Sequence, residues 1–191
     1  MTKETDPNQA PENAAASAPD RGPAGGADPD VALEQCAAKE DLLGLLLERA
    51  TSIYPCENWL FGEIPDPENP VEVEILAYSP TRLQKVYQGM RIPILQSGFS
   101  RRLYQEHCLS YVGEDNGSIT QLNPQFVETF ALSSFMGVPL LFEDRIAGIL
   151  FAATFKGEKA CVPSESQQEA LMRLAQAGAL ALHRIQAQAA R

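Results

Sequence analysis

The stretch Ser133 to Ala153, SSFMGVPLLFEDRIAGILFAA, reads as two strands joined by a tight turn. Phe135 to Phe142 and Ile146 to Phe155 are apolar runs of strand length, and Glu143, Asp144 and Arg145 between them have the length and polarity of a hairpin loop. Gly137 and Pro139 suit bent or edge positions of a strand. Gly148 allows a backbone or helix to approach closely from the neighbouring element.

Downstream of this hairpin the chain ends in a long helix entered through Pro163, with Ser166 and Glu169 spaced as a capping box. Upstream, Asn123 to Phe130 is a short helix with Pro124 in its first turn, where the missing N–H costs nothing. A polar loop, Gly113 to Thr120, separates it from a strand at Leu109 to Val112. Ser97 caps a short helix reaching His107, and Met90 to Leu95 is a further strand. Val71, Val73, Ile75 and Ala77 alternate with Glu72, Glu74, Leu76 and Tyr78, the period-two pattern of a half-buried antiparallel strand. A Pro-rich acidic loop, Pro65 to Pro70, joins it to the strand Asn58 to Ile64.

The first helix starts at an Asp30 cap and runs to Tyr54, where Pro55 stops it. Leu43, Leu47, Ala50 and Tyr54 form one stripe, and Leu42, Leu45 and Leu46 widen the apolar arc beyond a single face. Such a helix needs two partners: its own sheet, and either a second helix of the chain or another subunit. The order of elements gives an α+β fold around one mainly antiparallel sheet of about six strands.

Residues 1–29 contain Pro, Ala, Gly, Asn and acids but no Leu, Ile, Phe, Trp or Tyr, so they are expected to form a disordered acidic tail before a domain over 30–191. No secretion signal opens the chain and no run of about 18 apolar residues interrupts it, which points to a cytoplasmic protein without membrane attachment. The formal net charge of -10 argues against nucleic acid, whose phosphates demand clustered Lys and Arg. Cys36, Cys56, Cys108 and Cys161 are far apart, without metal-ligand spacing, and read as free thiols.

The hairpin Ser133 to Ala153, followed by the helix carrying EALMRLAQAGALAL (Glu169 to Leu182), is similar to the C-terminal half of GAF domains. Two more matches come in order, NWLFGEI (Asn58 to Ile64) after its leading helix, and IPILQSGFSRRLYQEH (Ile92 to His107), which resembles the family's strand, glycine, helix sequence. The resemblance spans Asp30 to Ala187. It implies that the first and last helices lie on one face of the sheet and the short helices and loops on the other. It also implies a choice of roles, since GAF domains serve as receptors for cyclic nucleotides, bilins, haem, amino acids and anions, as a methionine-sulfoxide reductase and as dimerisation modules.

Several of these roles lack their residues here. The bilin-bearing cysteine of the family belongs on the helix that reads NPQFVETF (Asn123 to Phe130), which has no thiol; His107 and Cys108 come one element too early and in reverse order. The cysteines of the reductase branch fall near Met90 and Ser100. For cyclic nucleotides, Asn123, Phe126 and Glu128 lie too close together and the expected Lys is missing, while haem has only the lone His107. The sequence therefore points to a non-catalytic protein without metal or cofactor.

Two expectations follow. As a small-molecule sensor, the resemblance puts a pocket between sheet and short helices, lined by some of Phe99, Tyr104, Tyr111, Phe126, Phe130 and Phe151, with Arg101 able to meet an anionic group. As a ligand-free module, the chain docks on a protein partner or forms a homodimer through its first and last helices, with Leu42, Leu45, Leu46, Leu171, Leu174, Ala181 and Ile185 at the contact.

Overall fold

The computed structural model describes residues 29–66, 70–80, 84–94, 97–159 and 162–189. The expected acidic tail lies outside them except for Pro29. Six strands, β1 (Asn58–Glu63), β2 (Glu72–Ser79), β3 (Arg91–Pro93), β4 (Ser110–Gly113), β5 (Leu132–Phe142) and β6 (Arg145–Phe155), form one sheet in the order β3-β2-β1-β6-β5-β4. Every neighbouring pair is antiparallel. Among the described residues six α-helices accompany it, α1 (Pro29–Glu34), α2 (Lys39–Ile53), α3 (Gln84–Tyr87), α4 (Gly98–Tyr104), α5 (Pro124–Thr129) and α6 (Glu165–Ala189), with a 3-10 turn at Ser118–Gln121. This is the expected α+β architecture.

The β5–β6 hairpin closes more tightly than its polar spacer suggests. Phe142 pairs with Arg145, leaving Glu143 and Asp144 as a two-residue turn, and both have the positive φ (48° and 61°) that such hairpins require. Pro139 falls beyond the last β4 pair, Ser110 with Gly137, where β5 has no β4 partner to demand its missing N–H. A Cβ on Gly148 would lie 2.4 Å from Cζ of Phe61, so the absent side chain is what seats that ring on the sheet.

Long helices cover one face. α2 buries Leu42, Leu43, Leu46, Leu47 and Ala50, and α6 buries a stripe from Leu171 to Ile185, over Trp59, Phe61, Met136 and Val138 from the sheet. The second partner that the wide apolar arc of α2 requires is α6 of the same chain: Gly178 lets Leu46 come so close that a Cβ there would sit 2.7 Å from Cδ2. Of the residues expected at a dimer contact, Leu42, Leu46, Leu171, Leu174, Ala181 and Ile185 are therefore buried in the chain's own core, and Leu45 is half-buried. The small residues of α6 admit a helix, but it is an internal one.

Other boundaries differ for local reasons. The expected first helix is two, interrupted after Glu34, because Arg184 of α6 donates its guanidinium to the carbonyls of Glu34 and Cys36 and satisfies them outside a helical ladder. α6 begins with a reciprocal cap two residues before the expected one. The Gln167 N–H donates to Ser164 Oγ at 3.3 Å and the Ser164 N–H to Gln167 Oε1 at 2.9 Å. In β2 the alternation breaks: Phe61 pairs with Ala77 but Gly62 with Ile75, so Leu76 is bulged out of register. Val73 and Ile75 pack on the face opposite the long helices, Ala77 changes to the helical side, and Tyr78 takes the place on the first face that plain alternation gives to Ala77.

Candidate functional site

The face opposite the long helices is covered by α3, α4, α5 and the loops between them. Glycine shapes its floor. A Cβ on Gly137 would stand 2.9 Å from Leu103 and 3.1 Å from Phe99, so α4 rests on bare backbone there. Ser97 holds the start of α4 by accepting the Ser100 N–H at 3.1 Å, and Asn123 holds α5 by accepting from Gln125 N at 2.8 Å and Phe126 N at 3.4 Å.

Aromatic rings fill most of the space beneath. Phe135 stacks on Phe151 (5.2 Å between centroids), and meets Phe99 at 5.4 Å and Phe126 edge-on at 5.7 Å. Phe126 also meets Phe130 at 5.0 Å. Each such pair contributes about 0.5–1.5 kcal/mol beyond burial. Two voids of about 30 Å³ each remain, one under Tyr78, Tyr87 and Phe130, the other between α4 and α5. Among the described residues no charged side chain lines either. Tyr78 enters the wall of the first with its ring stacked on Tyr87 at 4.5 Å and its hydroxyl donating to Asn58 Oδ1 at 2.7 Å; Asn58 in turn donates to Glu158.

No family model matches the chain, and no curated protein matches it in sequence. Solved structures do match. The GAF domain of a phosphoenolpyruvate-protein phosphotransferase from Coxiella burnetii superposes with a TM-score of 0.64 at 14% identity, over 85% of this chain and 93% of that one. The cyanobacteriochrome TePixJ GAF domain gives 0.62 at 16% identity, over 81% and 94%, and the GAF-B domain of DevS from Mycobacterium smegmatis 0.58 at 15%, over 79% and 97%.

The chain has the GAF fold.

Within that fold the expected pocket residues divide. Phe99, Tyr104, Phe126, Phe130 and Phe151 come together beneath the short helices: Phe130 lines the first void, Phe99, Tyr104 and Phe151 the second, and Phe126 both. Arg101 does not join them. Its side chain is 67% exposed, pairs with Glu106 at 3.2 Å and borders an open outer groove that shares Ser97, Ser100 and Tyr104 with the second void, without lining either void itself. Tyr111 is on the wrong face. It pairs with Met136 and packs under the long helices, and its hydroxyl donates to the Asp115 carboxylate at 2.9 and 3.1 Å. Burial, then that hydrogen bond, pushes its pKa well above the usual phenol range.

Tyr104 is the polar residue of interest. Burial alone pushes its hydroxyl far above the ordinary phenol range, so it stays protonated and a donor, and it has no hydrogen-bond partner among the described residues. Tyr78, Tyr87, Met90 and Phe135 also stand in the walls and were not foreseen. Tyr78 was hidden by the bulge, and Tyr87 and Met90 lie in a connection whose sequence carries no strong period. Phe135 alone could have been found, as the neighbour across the strand pair from the small Ala153.

The remaining chemistry is dispersed. Among the described residues no group of three or more His, Cys, Asp or Glu is placed to hold a metal ion, and no helix is long and apolar enough to cross a membrane. Cys108 is exposed, with its thiol against the Glu106 carbonyl at 3.1 Å, and Cys56 is buried, its thiol directed at the Ala153 carbonyl at 3.3 Å.

Proposed function

We propose that this is a non-catalytic, cytoplasmic regulatory domain that senses a small molecule beneath its short helices and signals through contact with another protein. One observation carries the reading: the sheet separates a side filled by long, interlocked helices from a side where short helices cover aromatic walls and unfilled space. Ligand sites favour such concave, mostly apolar settings with few polar groups. The partner contact falls to what the long helices leave outside, where Leu180 on α6 is 53% exposed.

A thermal-shift screen of the full chain against nucleotides, amino acids, small anions, tetrapyrroles and neutral aromatics tests the proposal. A ligand at about 100 times its Kd raises stability by roughly 2.7 kcal/mol. Arg101→Ala should leave any hit unchanged, since that side chain stands outside both voids. If nothing shifts the protein while Leu180→Arg abolishes recovery of a defined partner or of a homodimer, the second reading, a ligand-free docking module, replaces the first.

A further inference from the structure

The two voids share a wall, formed by Ile92, Phe126 and Phe135. Phe135 is fixed in it, 5% exposed and stacked on Phe151. Phe126 is held differently. It stands on α5, a helix of six residues none of which is buried. Among the described residues, the side-chain hydrogen bonds of that segment are those of Asn123 to its own first turn. What keeps α5 on the sheet is thus the apolar contact of Phe126, Val127 and Phe130 with the layer below. Swinging one ring out of the wall joins two voids into a single slot and breaks no hydrogen bond to another element.

The chemistry of that slot is narrow. Its walls are aromatic and aliphatic, and an ion taken into them would lose its hydration without a countercharge, a cost of several kcal/mol or more. Its polar end has Ser97, Ser100, Tyr104 and Asn123. The Ser97 and Ser100 hydroxyls bond to each other at 3.2 Å and the Asn123 carbonyl oxygen is taken by two backbone N–H groups. Three donors at this end have no acceptor among the described residues, the Tyr104 hydroxyl, the Ser100 hydroxyl and the Asn123 amide N–H, and of these Tyr104 is the one carried on a ring in the wall.

Resting on the sensor reading of this same face, we propose that the slot takes a neutral, flat, two-ring aromatic molecule with one hydrogen-bond acceptor, that Phe126 is the ring displaced on binding, and that Tyr104 donates to the acceptor. A flat bicycle replaces the displaced phenyl in the stack on Phe135 and extends into both voids. An acceptor on its edge meets the Tyr104 hydroxyl. An anion of the same shape would give up its hydration with no charged side chain lining either void among the described residues, since Arg101 stands in the outer groove, exposed and paired with Glu106.

The test uses the full chain at pH 7.5 with quinoline, its acceptor-free counterpart naphthalene, and quinoline-2-carboxylate, followed by calorimetric titration and melting temperature. Quinoline is expected to bind the wild type, naphthalene about ten-fold more weakly, about the value of one lost hydrogen bond, and the carboxylate not at all. Tyr104→Phe should weaken quinoline to the naphthalene level and leave naphthalene unchanged. Phe126→Leu, which keeps the apolar packing, and Phe126→Ala should both bind quinoline more tightly than the wild type, because the displacement no longer has to be made. Binding to Phe126→Ala but not to wild type would make Phe126 a plain core residue and overturn the proposal, as would equal affinities for wild type and Tyr104→Phe. If the carboxylate alone binds, or a charged compound from the wider screen does, the neutral class is wrong while the sensor reading stands. If no compound of any class shifts the wild type, both fall.

Discussion

The two faces of this sheet are built from similar side chains and differ in how they are closed. On one, α2 and α6 present long apolar stripes that interlock through Gly178 and Leu46, and Trp59, Leu42, Leu46 and Leu182 are wholly buried. On the other, α3, α4 and α5 are four, seven and six residues long, too short to be stable without the sheet, and they lie over a layer of phenylalanines with space left between them. A helix of many turns fixes many side chains at once, whereas a helix of one or two turns is fixed by one or two rings. Rigidity and room for a guest are thus allotted to opposite sides of the same strands.

Mutation should expose this difference directly. Trp59→Ala, beneath the long helices, is expected to cost about 3–5 kcal/mol in denaturant unfolding, the largest effect of the set. Trp59→Phe should cost less, because the indole N–H is buried without a hydrogen-bond partner among the described residues and its removal deletes that penalty. Gly148→Ala drives a methyl into the Phe61 ring and should cost about 1–3 kcal/mol. Phe126→Ala, on the other face, should cost about 2 kcal/mol, below the range for a fully buried phenylalanine, since its ring is half-buried although it loses two aromatic pairs. A loss as large as that of Trp59→Ala would abolish the contrast between faces.

Alkaline pH tests the same contrast with smaller amplitude. Burial raises the Cys56 thiol on the helical side above its ordinary value of 9.0, and burial likewise raises the Tyr104 hydroxyl on the other. Each folded-state pKa lies above the unfolded one, so the folded chain holds the proton more tightly. Their contribution is complete below the unfolded pKa and is lost as pH rises towards the folded one. Melting temperature should therefore fall above about pH 9 through Cys56 and above about pH 10 through Tyr104 together with Tyr111, whose hydroxyl is raised as well. Cys56→Ala should flatten the first part of that fall, and Tyr104→Phe should reduce the second, leaving the share of Tyr111. The smallest effect is expected from deleting residues 1–28, within about 0.5 kcal/mol of the full chain.

Much of the frame was legible because period and punctuation agree with it. The hairpin from Ser133 to Ala153, the alternation of β2 as far as Ile75, the Ser97 cap, Pro124 in the first turn of α5 and the long last helix all follow from local residue types. What escaped depends on distant partners. The break after Glu34 is held by Arg184, and no pattern near residue 34 announces it. Tyr111 belongs to a strand of four residues with apolar side chains on both sides, too short for its phase to be read, and only its pairing with Met136 puts it under the helices. Arg101 looked available because charge is visible in a sequence and its ion-pair partner is not.

The bulge at Leu76 has a consequence for the chain's tolerance of insertion and deletion. Losing one residue inside a strand ordinarily turns every later side chain to the opposite face. Here Leu76 is already surplus to the ladder, since Phe61 pairs with Ala77 and the next residue, Gly62, with Ile75. Without it, Ile75, Ala77 and Tyr78 would follow one another in plain alternation, each on the face it now occupies, and Tyr78 would keep its stack on Tyr87. The wall of the cavity is thus indifferent to a change in strand length that inverts a regularly paired strand.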